Sequence, residues 1–448
     1  MTAPTIVDLD ALLAPFYDAE TPPDGWRVGT EAEKFGVHRR TGQPLSYDGD
    51  DGIVQVLHRL VERCGWRAEP EYDGGPVIAL RRGQASVTLE PGGQLELSGA
   101  PLRTIHETRA ELTDHLRELR EACADLDVAW LGLGFHPTAT QADLPWVPKL
   151  RYGVMREYLP TRGPMALDMM RRTCTVQANL DYADEADAMR KLRVSLRLSA
   201  LLTAMFANSP FVEGVRTGER SHRAKVWLHM DPDRSGLLPF AWKEGGSYRD
   251  YVEWALDVPM FLIKRDGGRI LRNTGQTFRA FMRDGFEGTD ATLADWRGHL
   301  MTLFPEVRLK NTLEIRGADS QGLDLACALP ALCKGVLYDA RALDAAEALA
   351  ERFDYAAVEA ARPAIAATGL AATLCGRRVA AWAGDLLEIA EAGLARIDDR
   401  DADGRDERVH LAPLRALIER EATPADALLA AIDPRRALAP QLFEHALA

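Results

Sequence analysis

The 448-residue sequence has no CxxC pair and no cysteine–histidine ligand spacing; its six cysteines, Cys64, Cys123, Cys174, Cys327, Cys333 and Cys375, are scattered. Thiols so placed are expected to be reduced and packed in the core, which sets aside a disulfide framework and a thiolate zinc site. Phosphate-binding loops are missing as well. There is no GxxxxGK[ST], and no GxGxxG between a strand and a helix, so a nucleotide would have to be held by metal ions and arginines on a sheet surface. Long hydrophobic runs are also lacking: the longest, Leu198 to Phe211, is interrupted by Thr203, Asn208 and Pro210 and does not read as a membrane span. Met1 to Thr5 shows neither the charged nor the apolar region of a secretory signal, and a cytoplasmic, non-membrane protein is expected. Positive charge is in deficit, with 54 Lys and Arg against 67 Asp and Glu and a net charge of -13. Nucleic-acid binding rests on phosphate neutralisation by basic residues, so no nucleic-acid partner is expected.

What is there is a globular composition, 46% hydrophobic and 27% charged, with patterns of both periods. Strands are expected over Trp26 to Val37, Val77 to Leu80, Ala85 to Leu89, Gln94 to Leu97, Trp130 to Phe135, Arg172 to Leu180, Lys225 to Met230 and Asn311 to Arg316. Helices are expected over Gly52 to Cys64, Thr104 to Leu126 and Glu185 to Asn208. Arg81-Arg82-Gly83-Gln84 reads as a hairpin turn, and the loop Pro137 to Pro148 as a substrate wall or lid. From about Gly322 the sequence turns alanine-rich and helical, with a polar break at Asp398 to Glu407. Strands separated by long, unequal insertions favour an α+β fold with an antiparallel sheet over a doubly wound parallel one.

The chemistry-bearing residues are acidic. Glu31 and Glu33 lie two apart in an otherwise core-like strand, so both side chains share a face. Glu90 and Glu96 bracket a Pro-Gly-Gly turn that brings two short strands to one end of a sheet. One reading is a solvated face paired to Lys34 or Arg39; the other is a face that holds divalent cations, since bare buried carboxylates are costly. Oxygen-only donors suit Mg²⁺ shared with substrate phosphates. In Thr312-Leu-Glu-Ile-Arg316, Glu314 and Arg316 share a face, setting a cation ligand beside a phosphate-binding guanidinium or forming a cross-strand salt bridge. Arg223 and Lys225, and Arg234 in the turn Asp231 to Gly236, are cations able to grip a carboxylate or a polyphosphate, or are solvated loop residues.

Five strings in order, Thr30-Glu-Ala-Glu-Lys-Phe-Gly36, Leu89-Glu-Pro-Gly-Gly-Gln-Leu-Glu-Leu-Ser-Gly-Ala-Pro101, Leu167-Asp-Met-Met-Arg-Arg-Thr-Cys-Thr-Val-Gln-Ala-Asn-Leu-Asp181, Phe206-Ala-Asn-Ser-Pro-Phe211 and Leu313-Glu-Ile-Arg-Gly-Ala-Asp319, resemble the plant and proteobacterial type of glutamate–cysteine ligase. The resemblance runs from about Gly25 to Asp339. It implies a glutamine-synthetase-like fold, a curved antiparallel β-sheet funnel with surrounding helices. It also implies a single domain over 1–448, with the catalytic sheet in 25–339 and an Ala-rich helical layer in 340–448.

The implied activity is ATP-dependent joining of the γ-carboxylate of L-glutamate to the amino group of L-cysteine through γ-glutamyl phosphate, the first step of glutathione or related thiol synthesis. Two or three Mg²⁺ ions would sit on Glu31, Glu33, Glu90, Glu96 and Glu314, with Asn179 or Gln177 as a further polar group. Arg316 and Arg234 would bind ATP; Arg223, Arg151 and Gln177 would bind substrate; Arg316 and Arg223 would act in catalysis. A γ-glutamyl ligase with another amine acceptor and a non-catalytic glutamate- or nucleotide-binding protein are the alternatives. A monomer or homodimer serving only small-molecule substrates is expected. The sequence departs from the family pattern at Ala32, where histidine is expected, and at Arg223-Ala-Lys-Val-Trp227 and Ser320 to Leu325, which bear on the acceptor pocket.

Overall fold

The computed structural model describes residues 8–243, 245–265 and 269–447; Met1 to Thr5, read above for targeting signals, lies outside them. Nine strands form one open antiparallel sheet: β1 (Val28–His38), β2 (Arg67–Pro70), β3 (Val77–Arg82), β4 (Ala85–Leu89), β5 (Leu95–Ser98), β6 (Val128–Leu131), β7 (Thr175–Leu180), β8 (Val307–Leu309) and β9 (Leu313–Asp319). Their order is β8-β9-β7-β1-β5-β4-β3-β2, with β6 pairing the far half of β1. The central strand β1 meets β7 along Val28 to Ala32, β5 along Glu31 to Lys34 and β6 along Phe35 to His38. Its backbone is thus paired on both sides at Glu31 and to β5 at Glu33, which keeps their spacing rigid.

Helices surround this sheet: α1 (Ile53–Cys64), α2 (Ile105–Ala122), α3 (Leu150–Tyr158), α4 (Ala166–Arg172), α5 (Glu185–Met205), α6 (His222–Trp227), α7 (Leu323–Leu337), α8 (Ala340–Ala350), α9 (Tyr355–Thr368) and α10 (Val379–Ile397). On β1, Val28, Thr30, Ala32 and Lys34 are all buried. The Lys34 ammonium meets α2, 3.3 Å from His115 Nε2, so this is the helix-facing side of the strand. Glu31 and Glu33 occupy the alternate side. Ala32 therefore lies in the core rather than among the acids, and its departure from the family's histidine does not alter the acidic face.

The Arg81 to Gln84 turn is a hairpin, with Arg82 opposite Ala85 and Gly83 at φ +57°. Lys225 to Met230 is not a strand. Ser221 caps α6 there, its Oγ accepting from the Ala224 amide at 2.9 Å, and this local cap outweighs a short alternating pattern. Lys225 consequently turns to Glu219, 2.6 Å away, instead of lying on a strand face beside Arg223. The Pro137 to Pro148 loop is stitched down: Val147 donates to Pro91 O at 3.0 Å and Arg171 bonds the Leu144 and Pro145 carbonyls. It is a wall. Among the described residues no helix is long and apolar enough to cross a membrane.

One apolar core runs from Leu12 to Ile418 and takes in the alanine-rich helices. The polar break is tied to it by buried Lys334 on α7, whose ammonium bonds Asp399 and Glu407 at 2.8 Å each. Small residues let α7 and α10 approach: a Cβ on Gly393 would sit 1.8 Å from the Gly335 carbonyl oxygen, whereas one on Gly384 of the same helix would meet nothing within 4 Å. Gly393→Ala should therefore lower stability by about 1–3 kcal/mol by forcing the helices apart. Gly384→Ala should raise it by roughly 0.5–1 kcal/mol through reduced chain entropy. Urea denaturation of the two variants checks this, and equal shifts would contradict the packing argument.

Candidate active site

Sheet register assembles the acids. Glu33 on β1 lies directly opposite Glu96 on β5, and Glu31 sits between Gln177 on β7 and Ser98 on β5. One row further, Glu314 on β9 lies opposite Asn179 on β7. Glu90 joins from the turn after β4, which closes through Gly93 N to Glu90 O at 2.9 Å. That turn demands its glycines: Gly93 has φ +82°, and a Cβ on Gly92 would fall 2.3 Å from the Arg171 carbonyl oxygen. Gln94 pins it by accepting from the Gly92 amide and donating to Thr173 O, both at 2.9 Å.

So placed, Glu31, Glu33 and Glu96 bind protons more tightly than ordinary carboxylates. Burial, then Glu90 and Glu96, pushes Glu33 well above the usual carboxylate range, although Arg223 and the Thr175 amide at 2.9 Å oppose the shift. Glu31 is pushed up to about 7 by burial, then by Glu314 and Glu96. Glu96 is raised by burial and Glu90, while Ser98 Oγ donates to it. Opposed like charges on adjacent strands weaken a sheet, so this face is strained for some purpose other than stability.

Glu314 behaves oppositely. Burial alone would raise it, but Arg308, Lys310 and Arg316 hold it well below the ordinary range. Arg308 reaches both its oxygens at 2.9 Å, and Lys310 and Arg316 each take one more contact. A carboxylate has about four acceptor positions, and all are used. Glu314, expected as a cation ligand, is in this structure the anchor of Arg316. Asn179 is likewise committed, donating to Glu31 Oε1 at 2.9 Å and accepting from Thr312 at 3.1 Å. Arg308 and Lys310 escaped the sequence reading; the signal was their alternation in Arg308-Leu-Lys310, across a hairpin that sets Arg308 opposite Glu314.

A cavity beside the acids is lined by Glu33, Glu90, Arg151, Arg223 and Arg316, with Tyr152, Met169, Met170, Trp227 and Phe304 as apolar walls. Arg316 NH1 donates to Gln177 Oε1 at 2.8 Å, which fixes its fork. A bulge in β9 between Ile315 and Ala318 sets its direction. Arg223 is buried, donates NH2 to Arg316 O at 2.9 Å, and has no partner for Nε. Arg151 stands 5.2 Å from the Tyr152 ring. Lys149, brought down to about 8 by burial, donates to Leu89 O at 2.6 Å close to Glu90 and Glu96. Arg234 is not part of this group. It is wholly buried against Asp231 at 2.7 Å and the Thr302 and Pro259 carbonyls, its guanidinium 3.9 Å from the Phe261 ring. The Asp-Pro-Asp turn supplied its own counter-ion, which removes Arg234 from the ATP-binding expectation.

Hard oxygen donors that repel one another fit Mg²⁺. Among the described residues no group of three or more His, Cys, Asp or Glu side chains is arranged to hold a metal ion by itself. The fit is therefore to ions completed by a ligand's own oxygens.

The model of glutamate–cysteine ligase family 2 (GCS2) matches residues 27–444, so the alanine-rich helices belong to the match as well as the sheet. The chloroplastic glutamate–cysteine ligase of Arabidopsis thaliana is 41% identical over 91% of this chain and 76% of its own length. The chloroplastic enzyme B of Oryza sativa subsp. japonica is 41% identical over 93% and 82%, and that of Brassica juncea 43% identical over 83% and 72%. The plastid location of these relatives contradicts the expected cytoplasmic location and corrects it. In fold, the chain is similar to a glutamate–cysteine ligase of Francisella tularensis in complex with AMP, with a TM-score of 0.59 at 12% identity over 94% of this chain and 87% of that one. With a family match over nearly its whole length and plant relatives above 40% identity, the chain belongs to glutamate–cysteine ligase family 2.

Proposed function

We propose that the acidic row and its flanking arginines join the γ-carboxylate of glutamate to the amino group of cysteine, with Glu31, Glu33, Glu90 and Glu96 as the Mg²⁺-binding set. The family is one of ATP-dependent ligases, and the assignment of roles rests on one observation: Glu33 and Glu96 oppose each other across two strands while Arg223 and Arg316 face the same cavity. Mg²⁺ bound there and shared with ATP would neutralise both the carboxylates and the polyphosphate.

The chain's own residues do the rest. Arg316, with one nitrogen held by Glu314 and Gln177, presents a fixed guanidinium to the phosphates. Arg223, with an unpartnered Nε, offers a donor to a glutamate carboxylate, and Arg151 adds charge at the same wall. A carboxylate is a poor acyl donor. Its γ-oxygen attacks the terminal phosphorus of ATP and ADP leaves with the P–O electron pair, giving γ-glutamyl phosphate. The acceptor's neutral amine then attacks the acyl carbon, a C–N bond forms, the C–O bond breaks with its electron pair on the departing phosphate, and the proton lost from nitrogen passes to that phosphate or to solvent. Apolar walls from Tyr152, Met169, Met170, Trp227 and Phe304 limit water's access to that acyl phosphate. No nucleophilic side chain is required.

Incubation with ATP, Mg²⁺, glutamate and a panel of amines should release ADP with cysteine as preferred acceptor and γ-glutamylcysteine as product by mass. A non-thiol amine preferred over cysteine would make this a γ-glutamyl ligase of other specificity, and absence of ADP with every acceptor would overturn the ligase reading. The Glu31 shift also has a stability consequence. Its carboxyl binds a proton more tightly when folded (about 7) than at its ordinary value of 4.5, so the stability from its protonated form is full below 4.5 and lost as pH rises through about 7. The melting temperature of ligand-free protein should fall across that window, and fall less for Glu31→Gln. Identical slopes for the two proteins would contradict the buried, mutually repelling row.

A further inference from the structure

The string Phe206 to Phe211 and the end of Leu313 to Asp319 have no part in the chemistry described above, yet they meet at one buried carboxylate. Asp319 closes β9 and is 1% exposed. Its Oδ2 accepts from the Asn208 amide and from Ser209 Oγ, both at 2.7 Å, and its Oδ1 accepts from Ser221 Oγ at 2.9 Å. Each serine passes the contact on. Ser209 Oγ accepts from the Arg223 amide at 3.1 Å, and Ser221 Oγ accepts from the Ala224 amide at 2.9 Å as the cap of α6. Asp319 Oδ1 is also 3.9 Å from Arg223 NH1.

We propose that Asp319 is a positioning residue that fixes Arg223 for the glutamate carboxylate, acting through Ser209 and Ser221; this rests on the reading of Arg223 as a substrate-binding group. The direction of the hydrogen bonds makes the case. A serine hydroxyl has one proton to give. Because each serine accepts from an amide of the first turn of α6, its proton must go to an acceptor, and residue 319 has to accept on both oxygens. An asparagine there would turn an NH₂ against one of these donors. The carboxylate has no room to move: a Cβ on Gly134 would lie 2.3 Å from its Cγ. Asp319 thus orients the backbone that carries Arg223 and the near end of its guanidinium, while the Arg316 carbonyl holds NH2 and leaves Nε for a ligand.

Steady-state kinetics of Asp319→Asn and Ser209→Ala, each alone and combined with Arg223→Lys, test this, with melting temperatures measured alongside. The expected result is a rise in the KM for glutamate of about 10- to 100-fold in either single variant, with the KM for ATP unchanged. In the Arg223→Lys background the same changes should add less than about twofold, since they act through the residue already altered. Full additivity in that background, or a loss of kcat with the KM for glutamate intact, would overturn the positioning role. If Arg223→Lys itself leaves the KM for glutamate unchanged, the reading of Arg223 and the inference fall together. Ser209→Ala carries the cycle by itself if Asp319→Asn does not fold.

Discussion

Two carboxylates face each other across neighbouring strands in a buried position, and much of the molecule is arranged around that repulsion. Glu33 and Glu96 are in register, Glu90 leans in from a turn that only glycines can make, and Glu31 follows two residues away. Backbone pairing of β1 to β5 along Glu31 to Lys34, and to β7 up to Ala32, prevents the strand from twisting these groups apart. Burial then removes the solvent that would screen them, so an external cation gains more there than it would at the surface. The same sheet that confers stability through its helix-facing side stores unfavourable charge on the other.

The cations are sorted by how they are paired. Arg308, Lys310 and Arg316 saturate Glu314, making a closed group that holds Arg316 still. Arg234 is closed off in its own loop by Asp231. Arg223, in contrast, keeps one nitrogen free, and its backbone is set by a serine relay that ends on Asp319. Arg316 and Arg223 both line the cavity, the first held by Glu314 and Gln177 and the second by the Arg316 carbonyl.

Local pattern made part of this legible in the sequence. Period-two spacing placed Glu31 with Glu33, and the Pro-Gly-Gly turn returned Glu96 to the same end of the sheet. The ordered family strings carried the antiparallel sheet and the ligase chemistry. What escaped depends on which groups pair with one another in the folded chain. Whether Glu314 is free or spent is decided by Arg308 on the adjoining strand and Lys310 in the turn between them. The fate of Arg234 is decided by Asp231, three residues away yet buried with it. A six-residue helix at His222 to Trp227 is too short for its period to show, and only the Ser221 cap betrays it. Asp319 draws together residues about a hundred positions apart, a relation no spacing rule reports.

The central claim is that cations are shared between the carboxylates of Glu31, Glu33, Glu90 and Glu96 and the nucleotide's oxygens, while Glu314 serves as an anchor. Titration with Mn²⁺, followed by the loss of its free-ion electron paramagnetic resonance signal, tests it most directly in the presence and absence of ATP. The account predicts tight uptake only with ATP, abolished by Glu33→Gln and retained by Glu314→Gln. Equal loss in both variants, or no uptake by the unaltered protein with ATP, would contradict it.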